Sequence, residues 1–175
     1  VLDINRADLA NLIVEVEHGA YQKRLQEIHC KNIMTREIAY VSMDSSLEQA
    51  WNLLRSRHIK ALPVIDGARR VLGIITLEDF LKSAAVDFHQ TFGQRIRGFM
   101  RNTIPGLNAL PNAVGQVMSK PVRVISEDRN MLDLAEIFCG DGHHHIPVIN
   151  NNKELVGIIT QSDFVKAIDQ SIEIR

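Results

Sequence analysis

The sequence holds only two cysteines, Cys30 and Cys139, among 175 residues. Two are too few for a disulfide framework, so both are read as free thiols, a usage that suits a reducing cytosol. An excess of one charge is missing too: 20 Lys and Arg stand against 21 Asp and Glu, a formal net charge of -1. Without a cationic surplus the chain has nothing global with which to neutralise a phosphate backbone, and no nucleic-acid partner is expected. No apolar run approaches the roughly 18 residues a bilayer crossing needs, and no charged-apolar-small leader opens the chain. Catalytic signatures are lacking as well, since H-E-x-x-H, G-x-S-x-G and the P-loop do not occur. No catalytic residue, required cofactor or metal site is assigned, and the chain is expected not to be an enzyme. What remains, 45% hydrophobic and 23% charged residues, is ordinary for a globular protein with one core or two small related ones. The first residue is Val1 rather than Met, and the chain is read as a piece of a longer protein.

Self-comparison organises the sequence. Leu62-Pro63-Val64-Ile65 recurs 84 residues on as Ile146-Pro147-Val148-Ile149, and Gly73-Ile74-Ile75-Thr76 with Asp79-Phe80 recurs as Gly157-Ile158-Ile159-Thr160 with Asp163-Phe164. The same offset carries Met34-Thr35 onto Met118-Ser119 and Ser42-Met43-Asp44 onto Ser126-Glu127-Asp128. Short apolar runs that matched by chance would not hold one register this long.

Each copy reads as strand, helix, strand, strand, helix. Ile38 to Ser42 is β-rich, and Ser45 with Glu48 forms a capping-box pattern that predicts a helix start. Leu47, Ala50, Trp51 and Leu54 then make one apolar helical face, repeated by Met131, Leu134, Ala135 and Phe138 until Gly140 to Gly142 stop the second helix. The segments 66–70 and 150–152 have the polar character of hairpin connections, and a last helix is predicted from Leu77 and from Gln161. Outside the repeat, an amphipathic helix is predicted within 4–28, and Phe88, Phe92, Ile96 and Phe99 suggest another helix in the basic stretch between the copies. The organisation is therefore an N-terminal helix (1–30), a first repeat (31–83), a linker (84–113) and a second repeat (114–171).

An M-T/S pair, a strand, an amphipathic helix, h-P-V and then G-h-h-T-x-x-D (h is apolar), all present twice, resemble a tandem pair of CBS domains, often called a Bateman module. The resemblance implies an α+β fold of two β-α-β-β-α repeats packed with pseudo-twofold symmetry around clefts for AMP, ATP or S-adenosyl compounds. It further implies that Asp79 and Asp163 accept ribose hydroxyls and that Thr76 and Thr160 bind phosphate or ribose oxygens. The backbone around Leu62, Pro63, Ile146 and Pro147 would line the base pocket, together with the stretches from Thr35 to Ile38 and from Ser119 to Val122. Residues 3–9, 59–64 and 142–148 also look similar to the cytosolic tail of HPP-type integral membrane proteins. That likeness implies an attached membrane domain and a place on its cytosolic face.

Each motif has a structural reading beside the functional one. Thr at a helix N-cap with a carboxylate three residues on is a capping box in its own right. It also stands at a helix N-terminus suited to anions, and capping and binding can coexist. Pro63 and Pro147 are expected to open strands, where a missing N–H is cheapest. Lys60 suits a phosphate or an exposed strand edge. In an extended His143-His144-His145 run two imidazoles share a face, but a third metal ligand is wanting; His144 and His145 serve a phosphate pocket equally well. The first-copy equivalents are Ile59, Lys60 and Ala61, so the two sites differ chemically. Three functions follow in order: a regulatory module with an adenine nucleotide as its small-molecule ligand, a structural dimerisation domain with empty clefts, and a His-based metal sensor. A homodimer is expected from the apolar stripes.

Overall fold

A computed structural model describes residues 20–83, 112–140 and 143–173. In chain order it contains α1 (Ala20–Glu27), the single turn α2 (Cys30–Ile33), β1 (Val41–Ser42), α3 (Leu47–Arg57), β2 (Ala61–Ile65), β3 (Val71–Thr76) and α4 (Leu77–Ser83). A 3-10 turn (Val114–Gln116) follows, then β4 (Ile125–Ser126), α5 (Met131–Gly140), β5 (His145–Ile149), β6 (Leu155–Thr160) and α6 (Gln161–Glu173). The fold is α+β, with two three-stranded mixed sheets ordered β1-β2-β3 and β4-β5-β6. The short first strand runs parallel to the middle one (Val41 opposite Val64, Ile125 opposite Val148), and the other two strands form an antiparallel hairpin. Of the helix expected within 4–28, residues 20–27 are α1, while its part before Ala20, the linker helix and the turn at 141–142 lie outside the described residues.

The hairpin turns repeat to the atom. Asp66 Oδ1 accepts the N–H groups of Ala68 and Arg70, and Asn150 Oδ1 those of Asn152 and Glu154, each at 2.9 Å. The left-handed residues are Arg69 (φ 59°) and Lys153 (φ 64°), not Gly67. Both apolar stripes point into cores. Leu47, Ala50 and Leu54 are buried with Leu62, Val64, Ile75 and Phe80, and Trp51 meets the Phe80 ring edge-on at 5.5 Å. Met131, Leu134, Ala135 and Phe138 are buried with Ile146, Val148, Ile159 and Phe164. Each fully buried large side chain contributes about 1.5–3 kcal/mol.

Two expectations are corrected. The capping box of α3 is not Ser45 with Glu48 but Ser46 with Gln49: Ser46 Oγ accepts the Gln49 N–H at 3.1 Å and the Ser46 N–H donates to Gln49 Oε1 at 3.0 Å. Ser45 instead folds its hydroxyl back onto the Ser42 N–H at 3.1 Å. Pro63 and Pro147 do not open their strands but stand third of five residues. They are tolerated there because Ile74 and Ile158, their partners on the third strand, give both backbone groups to other segments, Ser119 and Thr35. Each proline thus occupies a non-hydrogen-bonded pair with the third strand, and its missing N–H faces the first strand, whose pairing begins only one residue later at Val64 and Val148, so no ladder bond is removed.

Those outside partners divide the chain differently from its repeats. Residues 39–122 form a first compact unit, and residues up to 38 together with those from 123 form a second. The stretch that leads into each repeat is built into the unit carrying the other repeat's sheet. In the second unit the N–H groups of Cys30, Lys31 and Thr35 donate to the carbonyls of Arg129, Glu127 and Ile158 (2.8, 3.0 and 3.0 Å). In the first, Val114, Gly115 and Ser119 donate to Ser45, Met43 and Ile74 at 2.9 Å each. Residue by residue, these are the same bonds shifted by the repeat offset. The methionine of each lead-in sits over the other copy's strand glycine, where a Cβ on Gly73 would lie 2.7 Å from Met118 Sδ and one on Gly157 2.8 Å from Met34 Cγ. Close approach, rather than a phosphate, therefore accounts for these glycines.

Candidate functional site

The strand that follows the glycine ends in threonine, and the helix begins at once. At the end of β3, Asp79 Oδ2 accepts both the Thr76 N–H at 2.7 Å and Thr76 Oγ1–H at 2.8 Å. At the end of β6, Asp163 Oδ2 accepts the Thr160 N–H at 2.9 Å and Thr160 Oγ1–H at 2.7 Å. The Asp N–H groups point back to the threonine hydroxyls at 3.4 and 3.3 Å. Each pair is thus a reciprocal cap at the positive end of a helix. One carboxylate oxygen does the capping and leaves the other available.

The fate of that second oxygen differs. Asp79 Oδ1 accepts the Ser119 hydroxyl at 2.7 Å, and Asp79 is only 5% exposed. Asp163 is half-buried, and among the described residues none donates to its Oδ1. Thr35, which matches Ser119 in the repeat, bonds through its backbone to Ile158 (3.0 and 3.1 Å) as Ser119 does to Ile74 (2.9 and 3.1 Å). The Thr35 side chain is exposed and makes no hydrogen bond to Asp163.

The residues expected to form a site divide by unit. Lys60, Leu62, Pro63, Thr76, Asp79, Ser119 and Val122 belong to the first, and Thr35, Ile38, His144, His145, Ile146, Pro147, Thr160 and Asp163 to the second. Thr35 therefore accompanies Thr160 and Asp163 rather than the Thr76 and Asp79 of its own repeat. Leu62 and Ile146 are completely buried, so their side chains serve the cores. Lys60 is exposed, and its carbonyl accepts the first N–H of α4, that of Leu77, at 3.3 Å. The equivalent bond runs from the Gln161 N–H to the His144 carbonyl at 3.4 Å.

Gln161 is the residue that sequence reasoning missed. Its Oε1 lies 2.8 Å from His144 Nδ1, and its Nε2 donates to the His143 carbonyl at 3.4 Å. The carbonyl fixes which end of the amide faces the imidazole, so Nδ1 is the protonated nitrogen and donates to Oε1. The first unit has Leu77 and Lys60 at these places, and the signal was that both positions change together between copies. Among the described residues, no group of three His, Cys, Asp or Glu side chains is gathered to hold a metal ion.

The comparisons agree with this architecture. A 17.7 kDa protein from Acidianus ambivalens is 26% identical over 136 residues, covering 78% of this chain and 70% of that protein. The structure of CBSX2 in complex with AMP, a CBS-pair protein of Arabidopsis thaliana, superposes with a TM-score of 0.63 at 22% identity, over 82% of this chain and 97% of that one. The CBS domain pair of protein MJ0100 in complex with 5-methylthioadenosine and S-adenosyl-L-methionine gives 0.59 at 19% identity, over 81% and 96%. The family model for the CBS domain matches twice, at residues 30–85 and 114–170. With two matched copies that together span more than half its length, the chain belongs to the CBS domain family.

Proposed function

We propose that this chain is a non-catalytic regulatory module that binds an adenine nucleotide or S-adenosyl compound at one or both Thr-x-x-Asp caps. The observation that carries the reading is the cap itself, a carboxylate held at a helix N-terminus by one oxygen, so that the other can receive a ligand hydroxyl. The ligands named with the CBSX2 and MJ0100 structures, AMP, 5-methylthioadenosine and S-adenosyl-L-methionine, support the class of compound. Binding is passed to an attached activity. Two cysteines outside any disulfide and the likeness to HPP-type tails support a cytosolic setting beside a membrane domain. No helix among the described residues is long and apolar enough to cross a membrane.

One observation favours a second reading, that of a structural, dimer-forming module without ligand: both caps are complete as they stand. Thermal unfolding with AMP, ADP, ATP, S-adenosylmethionine and zinc separates the two. A compound that binds the native state adds about 2.7 kcal/mol at a hundredfold excess over its Kd, so an adenine compound should raise Tm in proportion to the logarithm of its concentration. No shift with any of them would leave the structural reading in its place.

A further inference from the structure

We propose that the two caps are not equivalent sites, and that the Ser119 hydroxyl closes the one at Asp79 while the one at Asp163 stays open. The inference rests on the nucleotide-binding reading above and assigns its site. A ribose presents two vicinal hydroxyls as donors, and a carboxylate receives them through lone pairs that no protein group occupies. Asp79 has little to offer: Oδ2 takes two bonds from Thr76, and Oδ1 takes the Ser119 hydroxyl at 2.7 Å, the short length of a charge-assisted O–H···O bond. It is also buried. Asp163 has the same two Thr160 bonds and, among the described residues, none at Oδ1.

Position 119 is where the two copies part. Ser119 and Thr35 lie on the same backbone bridge in their respective units, so the difference lies in the hydroxyl and not in the path of the chain. A ligand entering at Asp79 must first displace the serine. Losing a hydrogen bond to a charged group weakens binding about ten- to a hundredfold, and the open site is preferred by that factor. The α6 end carries a second polar feature that α4 lacks. With His144 Nδ1 engaged by Gln161, its Nε2 remains as a further group for the ligand, where the first unit has Leu77 beside Lys60.

Isothermal titration with AMP and S-adenosylmethionine tests the assignment on wild type, Asp163→Asn, Asp79→Asn and Ser119→Ala. Wild type should bind at one dominant site, and Asp163→Asn should weaken it about ten- to a hundredfold more than Asp79→Asn does. Ser119→Ala should add a second site, because it frees Asp79 Oδ1 without touching either cap. Two sites of equal affinity in wild type, an equal or larger loss from Asp79→Asn, or no second site in Ser119→Ala would each overturn the proposal. Binding of neither compound by wild type and Ser119→Ala alike would instead sink the nucleotide-binding reading, and the assignment with it.

Discussion

Gly157→Ala places a methyl where the Met34 side chain already stands. The new Cβ would lie 2.8 Å from Met34 Cγ and 3.0 Å from Met34 Cβ, about 0.5 Å or more inside a comfortable carbon contact of roughly 3.5–4.0 Å. Met34 cannot retreat by changing rotamer alone, because its Cβ moves only with its backbone. That backbone is pinned by the bond from the Met34 N–H to Cys30 O at 2.9 Å and by the Thr35 bridge to Ile158. Overpacking of this kind costs about 1–3 kcal/mol. Met34→Ala alone removes a buried side chain and costs about 2–5 kcal/mol. In that background the contacts with Met34 Sδ and Cγ are gone and only the 3.0 Å approach to Cβ is left, so most of the overpacking is relieved, and replacing a strand glycine returns about 0.5–1 kcal/mol. The double variant should therefore lose less stability than the two single losses added together, with a coupling energy of up to about 1–3 kcal/mol. Urea unfolding followed by far-ultraviolet circular dichroism on wild type, both single variants and the double reads all four corners. Additive losses would refute the packing of the first repeat's lead-in on the second repeat's strand.

Further predictions concern titration and turn strain. Burial, and after it the Asp133 carboxylate, pushes the Cys30 thiol up to about 12, against a lowering backbone hydrogen bond. The native thiol thus keeps its proton where the unfolded one loses it, so this contribution is complete below about pH 8.5 and is lost as pH rises toward the folded value, with a slope of up to about 1.4 kcal/mol per pH unit. Urea midpoints of wild type relative to Cys30→Ala should fall between about pH 8.5 and 10.5, and parallel profiles would count against it. Lys153 holds φ 64° in the second hairpin, a conformation that costs a non-glycine residue about 1–2 kcal/mol. Offset by the greater freedom of glycine when unfolded, Lys153→Gly should raise stability by about 0.5–1 kcal/mol, and a lowered Tm would argue against the turn.

Much of the fold was legible because its determinants are local and occur twice. The stripes Leu47-Ala50-Leu54 and Met131-Leu134-Phe138 read directly as buried faces, and the hairpins follow from apolar runs flanking Asp66 and Asn150. The register of the repeat placed the Thr-x-x-Asp pairs at helix starts. The exchange of lead-ins was not legible, since Met34 and Met118 are alike and either matches either glycine. The three-dimensional contacts decide between them, among them the hydrogen bonds of Thr35 and Ser119 to strands of the other copy. For the same reason the sequence did not tell the two aspartates apart, because serine and threonine are both hydroxyl donors and their difference appears only in where the hydroxyl points. The proline expectation failed because the rule against mid-strand proline assumes a ladder partner for every N–H, whereas these two positions face a first strand whose pairing begins one residue later.

That exchange has a consequence for how the polypeptide is made. The first unit is an uninterrupted stretch, but the second draws its α2 turn and its sheet from either side of it. At about 5–20 residues per second, a ribosome needs roughly 4–17 s to pass from residue 38 to residue 123. During that interval Leu25, Cys30 and Met34, all buried in the finished second unit, have no sheet to cover them. Closing a loop of about 85 residues also costs roughly 4 kcal/mol of chain entropy. The nested unit can fold while synthesis continues, whereas the enclosing one must wait for β6 and α6 and keeps an uncovered apolar surface within reach of chaperones until they arrive.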